Sequence, residues 1–303
     1  MGNSPSRPIV QESYGQEVPP GLRFSRERTM ILASLFASRK LMCFPTPHSY
    51  ERFLNNKRKI DIPANLEDGG LGIPLFEFKY DFFNVPFSSA PKFEIYKYTV
   101  IEKGQDYLIP ADAKVICVSG GKQLIKSLFC EIWDKTFKGL RTGYEFVFQS
   151  QDGPQQFIML KHHMRENFES TIGDWHVNWC SGFDSTHMDL VVLDPDMPFL
   201  FDDKETAAKK KALEKTQKKG MDDLPLWARF RFVSPGILPK LTTKQATLTI
   251  GEIDLETNPT EFGLAAIPWY SQIIACMSLL LAYRVERRRK RNNSNNQLNS
   301  TIF

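Results

Sequence analysis

Five histidines and five cysteines are the side chains in this chain best suited to hold a metal or to attack a substrate. Their densest grouping is in DWHVNWCSGF (174–183), where Asp174, His176, Asn178 and Cys180 occupy alternate positions and would share one face of a strand. Zinc sites use recognisable spacings such as paired CxxC or HExxH, and none occurs here. That face therefore reads as the polar side of a pleat whose other side sends Trp175, Val177 and Trp179 into a core. His162-His163 falls at a strand end. Ser119-Gly120-Gly121-Lys122 has the composition of a phosphate loop but lacks the GxxxxGK[ST] frame, and it reads as a hairpin turn. There is no G-x-S-x-G and no Ser/His/Asp order to nominate a nucleophile. The sequence predicts a non-enzymatic protein with no metal and no cofactor.

The second chemistry on offer is electrostatic. The net charge of +4 is modest, but its surplus is concentrated in Lys204–Lys219 and in Arg284 with Arg287, Arg288, Arg289, Lys290 and Arg291. No aromatic residue interleaves with the lysine run, so single-stranded nucleic acid would find no stacking surface there. That run reads as an exposed excursion within 202–223, and nucleic acid is not an expected partner. The N-terminus matches the M-G-x-x-x-[ST] acylation pattern at Gly2 and Ser6. A single acyl chain binds membranes only marginally, so further contacts would be needed. Arg23–Met42 reads as a helix with a loose apolar stripe (Met30, Ile31, Leu35, Leu41, Met42) flanked by Arg23, Arg26, Arg28, Arg39 and Lys40. Its stripe could pack on the domain, or it could lie on an anionic membrane surface. Scattered cysteines without CxxC spacing and an N-terminus without an apolar h-region point to a reducing compartment.

These candidates need a scaffold. Residues 1–22 read as a flexible tail, 23–73 as the basic helix plus a linker in which Pro45 and Pro47 end the helical segment, and 292–303 as a second tail. From Pro74 onward, short segments such as FEFKYDFF (76–83), KFEIYKYTV (92–100), YEFVFQS (144–150) and QATLTIGEIDL (245–255) follow one another. Each is separated from the next by Gly, Ser, Asp or Pro turns. The 23 Phe, 9 Tyr and 5 Trp suit pleated surfaces. The pattern predicts a mainly β domain over 74–291, a closed antiparallel barrel or a sandwich.

Leu264–Tyr283, LAAIPWYSQIIACMSLLLAY, is the longest uncharged run and is about one bilayer long. As a membrane span it would place Arg287–Arg291 on the cytosolic side and the domain opposite, without a leader to send it there. The reverse topology would translocate the arginines. Burial as a helix enclosed by the strands fits these residues better than an anchor, although both readings stand at this point.

A strand series closing around one apolar helix resembles the tubby C-terminal-like superfamily, which includes tubby proteins, plant LURP-one-related proteins and phospholipid scramblases. The likeness covers roughly Phe76–Arg291, and the exit VERRRKR (285–291) is similar to that of fungal members. It implies a barrel of about twelve antiparallel strands threaded by the C-terminal hydrophobic helix, and a loose association with membranes. The inositide-binding motif of tubby proteins does not map onto this chain, and neither does the palmitoylated cysteine stretch or the calcium segment of scramblases. The resulting expectation is a peripheral protein on the cytosolic face of a membrane, with anionic lipid as partner. A single-pass anchored protein and a scramblase-like lipid mover are the alternatives.

Overall fold

The computed structural model describes residues 24–35, 40–62, 72–80, 90–102, 109–137, 141–150, 153–162, 166–181, 186–217, 224–233, 242–253 and 267–300. Among these residues thirteen strands, each pairing antiparallel to its neighbours, are ordered β4-β3-β2-β1-β13-β12-β11-β10-β9-β8-β7-β6-β5. A further pairing of β4 (Phe93–Glu102) with β6 (Lys122–Phe137) closes twelve of them into a barrel. β5 (Lys114–Ser119) stands outside the ring, on β6 alone. Closure removes the exposed edges that an open sheet of this size would present.

The barrel begins fifty residues earlier than the alternation after Pro74 suggests. The expected basic helix over Arg23–Met42 is instead two strands, β1 (Phe24–Leu35) and β2 (Lys40–Phe44). Met30 and Leu32 belong to the inner core, and Ile31 and Ala33 to an outer one, so both faces of β1 are apolar. A strand buried on both faces loses its alternation and reads like a buried helix. The outer face is covered by α1 (Pro47–Asn55), which places Tyr50 and Phe53 against Phe44. Pro47 begins this helix rather than ending one. It sits in the first turn, where its missing N–H is not needed, and the Thr46 hydroxyl accepts from Ser49 N–H at 3.0 Å. The lysine-rich excursion is α2 (Lys204–Gln217), largely exposed.

α3 (Trp269–Ser300) fills the barrel. Ile274 through Ala282 are each at most 1% exposed, the polar Ser278 included. A helix buried around its whole circumference has no amphipathic stripe, which explains why this run mimics a membrane span. Its polar side chains are satisfied locally. Ser278 Oγ donates to Ile274 O at 2.8 Å, and Gln272 Nε2 donates to Ile267 O at 2.7 Å. Among the described residues no helix is long and apolar enough to cross a membrane. The expected start at Leu264 lies outside the described residues, and the helix runs on to Ser300, through a segment expected to be a tail. Trp269 and Tyr270 anchor its entry in an aromatic collar with Phe129, Phe148, Trp175 and Trp227. At its exit Tyr283 packs between Phe78, Tyr80 and Phe93.

Candidate functional site: a basic barrel mouth

The helix that plugs the barrel also arms one of its mouths. After Tyr283 the same α3 emerges carrying Arg284 and Arg287–Arg291, and a cavity of about 510 Å³ opens between it and the rim. The cavity is lined by Arg284, Arg287, Arg288, Arg289 and Arg291 of the helix, and by Lys92 before β4 and Lys161 of β8 (Gln155–Lys161). Seven cations thus line the cavity with one carboxylate, Glu166, just ahead of β9 (Phe168–Ile172), and one of the seven, Lys92, pairs with Asp134 of β6 outside that lining.

Glu166 organises the inner wall. It accepts from Arg284 Nη2 at 3.1 Å, ion-pairs with Arg288, and lies 3.5 Å from Lys161 Nζ. Burial opposes its ionisation, yet Arg284, then Arg288 and Lys161, hold its carboxyl below the usual carboxylate range. Arg284 also donates to the Tyr144 hydroxyl, and its guanidinium lies 5.6 Å from the Tyr144 ring centroid and 5.1 Å from that of Phe168. Burial works against its charge, but Tyr144 and Glu166 keep it firmly protonated. Arg289 rests over the Phe232 ring at 5.3 Å. One carboxylate cannot neutralise the six cations left once Lys92 has paired with Asp134. The outer guanidiniums, with Arg287 and Arg291 exposed, present bidentate donors to an anion arriving from solvent.

The other cations singled out in the sequence do not join this group, and one member of the cluster turns away from it. Arg26 and Arg28 of β1 both bind Glu252 of β13 (Thr242–Ile253), a carboxylate only 1% exposed. That pairing sits beside Gly251, whose carbonyl accepts from Trp227 at the entry collar. The collar and the basic mouth are about 21 Å apart along α3, from Tyr270 to Arg284. Lys40 is 3.0 Å from Glu77. Lys290 turns outward and pairs with Glu286 at 2.6 Å. Gly2, Arg23 and Arg39 lie outside the described residues.

Among the described residues no three metal-ligating side chains converge. His176 stacks on Phe199 at 4.1 Å, and the Cys180 thiol points to the Asn178 carbonyl at 3.7 Å. Burial pushes the Cys43 thiol up to about 12 and raises Cys130 and Cys276 as well, so these core thiols are poor nucleophiles. Gly120 and Gly121 adopt φ of 57° and 78°, which makes Ser119–Lys122 a hairpin turn. Lys92, Lys161, Glu166 and Tyr144 carry no signal in the sequence, because only the barrel brings residues from four separate stretches to one rim.

The fold and site together define a class: a twelve-stranded barrel filled by its own C-terminal helix, with a basic mouth where that helix leaves. The chain belongs to the DIA1 family, whose profile matches residues 25–291, from the first strand to the last arginine of the cluster. It is 31% identical to the uncharacterized protein YOR385W of Saccharomyces cerevisiae, over 93% of this chain and 94% of that protein. It is 30% identical to YNL165W, another uncharacterized protein of that yeast, over 93% and 75% of the two chains, and 24% identical to the yeast protein DIA1 over 96% and 91%. No solved structure matches this chain.

Proposed function

We propose that this protein is a non-enzymatic, peripherally membrane-associated barrel that binds anionic lipid surfaces through the mouth around α3. The observation that carries this reading is the excess of cations over carboxylates in a preformed cavity: once Lys92 is set against Asp134, six cations face Glu166, and five of them stand on a helix too deeply packed to be withdrawn. A basic cluster near an anionic surface gains about 1 kcal/mol per lysine or arginine, an attraction that falls off within a Debye length. Acylation at Gly2 would add a second weak contact, and two weak contacts on one molecule reinforce each other. The helix-filled barrel agrees with the tubby-like resemblance, and membership of that superfamily is part of the proposal. In this reading the protein sits on the cytosolic face of a membrane, where anionic lipid is abundant.

Flotation of the intact, unacylated chain with phosphatidylcholine vesicles, with and without phosphatidylserine, tests the proposal. Binding confined to the anionic vesicles and weakened by salt is the expected result. Equal binding to both vesicles, or to neither, would reject it.

A further inference from the structure

β5 is the one part of the sheet that the barrel does not use. Lys97 of β4 meets Gln272 one turn into α3, and β4 then runs five residues further to Glu102, roughly 17 Å of strand. The β5–β6 hairpin therefore projects beyond the entry collar, away from the basic mouth. Its inner edge pairs with β6, and no described strand pairs with its outer edge. Val115, Ile116 and Val118 are 57%, 39% and 63% exposed, three of the seven exposed large apolar side chains among the described residues. Proteins commonly guard free edges with charge or proline. Among the described residues, the outer edge is guarded by Lys114 and a bulge between Val115 and Cys117.

We propose that two copies of this chain pair antiparallel through β5, as a two-fold dimer. The register follows from the hairpin. Ser119 and Lys122 flank a two-residue turn and so form a hydrogen-bonded pair. Counting back, and setting aside Ile116 as the bulged residue, Val118 and Val115 turn their main-chain groups outward, while Cys117 turns its own toward β6. A two-fold antiparallel pairing then sets Val115 opposite Val118 of the second copy, Lys114 opposite its Ser119, and Cys117 opposite its Cys117. Apolar side chains meet apolar ones and no lysine meets a lysine, so the strand is complementary to itself. A bilayer is a poorer occupant, because lipid offers no partner for the edge N–H and C=O groups. The pairing uses the free edge of each copy, so assembly stops at two. A six-residue strand pair buries less than a standard interface of about 1,600 Å², so the dimer is reversible and concentration-dependent.

Analytical ultracentrifugation of the full chain from about 1 to 200 µM should show a monomer–dimer equilibrium, as expected for an interface this small. Val118→Lys, at an exposed position that leaves folding intact, should raise the dimer Kd about tenfold or more. An equimolar mix of Val115→Glu and Val118→Lys chains should recover the dimer, because the two charges fall opposite each other. The paired Cys117 residues form a non-hydrogen-bonded pair with Cα atoms about 4.5 Å apart, within disulfide reach. Diamide, which takes up the two thiol protons and electrons, should therefore trap a covalent dimer that Cys117→Ser abolishes. A wild-type chain that stays monomeric throughout would overturn the proposal. So would a dimer indifferent to Val118→Lys, or a Val118→Lys chain whose only defect is lost vesicle binding.

Discussion

Lys97 reaches into the barrel from β4, with Gln272 Oε1 at 2.9 Å and the Phe129 ring below it at 5.2 Å, and no carboxylate pairs with it among the described residues. Burial holds its pKa below the ordinary 10.5. The folded chain therefore binds its proton less readily than the unfolded chain, which destabilises the fold below the folded pKa and is relieved as pH rises through 10.5. Lys97→Met should raise Tm at pH 7, with the gain shrinking in alkaline solution, and thermal scans across pH will check this. Glu166 works in the opposite direction. Its depressed pKa contributes stability above the ordinary carboxylate value of 4.5, and that stability is lost as pH falls through the folded value. Glu166→Gln should therefore cost about 1–2 kcal/mol at pH 7, by leaving Arg284 without its ion pair, and should flatten part of the acid loss below pH 4.5. It should also tighten binding to anionic vesicles, since it removes the one carboxylate of the mouth. Of these residues only the Arg284–Arg291 cluster was legible in the sequence, because it is contiguous. Glu166 lies 118 positions from Arg284, and no local pattern links them.

At the scale of elements, what the sequence displays depends on how many faces are buried. β3 (Phe76–Tyr80) buries Phe76 and Phe78 inward and alternates them with Glu77 and Lys79, so its period of two is visible. β1 buries apolar side chains on both faces, and its apolar run suggests a helix. The remaining trace of its period lies in Arg26 and Arg28, two apart and paired with the same Glu252. α3 defeats helical periodicity for the same reason, and charge placement rather than pattern argued for its burial. Ala275 is fully enclosed. Ala275→Asp should bury an unpaired charge and cost about 4 kcal/mol or more, read as loss of cooperative unfolding at room temperature, as expected for an uncompensated buried ion. Gly143 of β7 (Arg141–Phe148) makes a second element-scale test. A Cβ there would clash with the Met159 carbonyl on β8, so Gly143→Ala should cost roughly 1–3 kcal/mol by forcing the two strands apart.

At the scale of the molecule, one helix links the fold to the proposed function. Its first half completes the core, and its second half carries the charges that define the mouth, so the charges are held against a rigid rim. Strand spacing made an antiparallel β domain legible, as a barrel or a sandwich, and the family resemblance pointed to the barrel. The mouth was not, because it is assembled by closure. The most direct test compares two variants of equal charge in vesicle flotation. Arg287→Gln/Arg288→Gln/Arg291→Gln strips the mouth, and Lys204→Gln/Lys211→Gln/Lys215→Gln strips the exposed lysines of α2. The first should lose about a hundredfold in affinity for phosphatidylserine vesicles, from some 1 kcal/mol per cation, while the second stays close to wild type. Equal losses in both would mean that net charge alone drives binding, and would contradict a site at the barrel mouth.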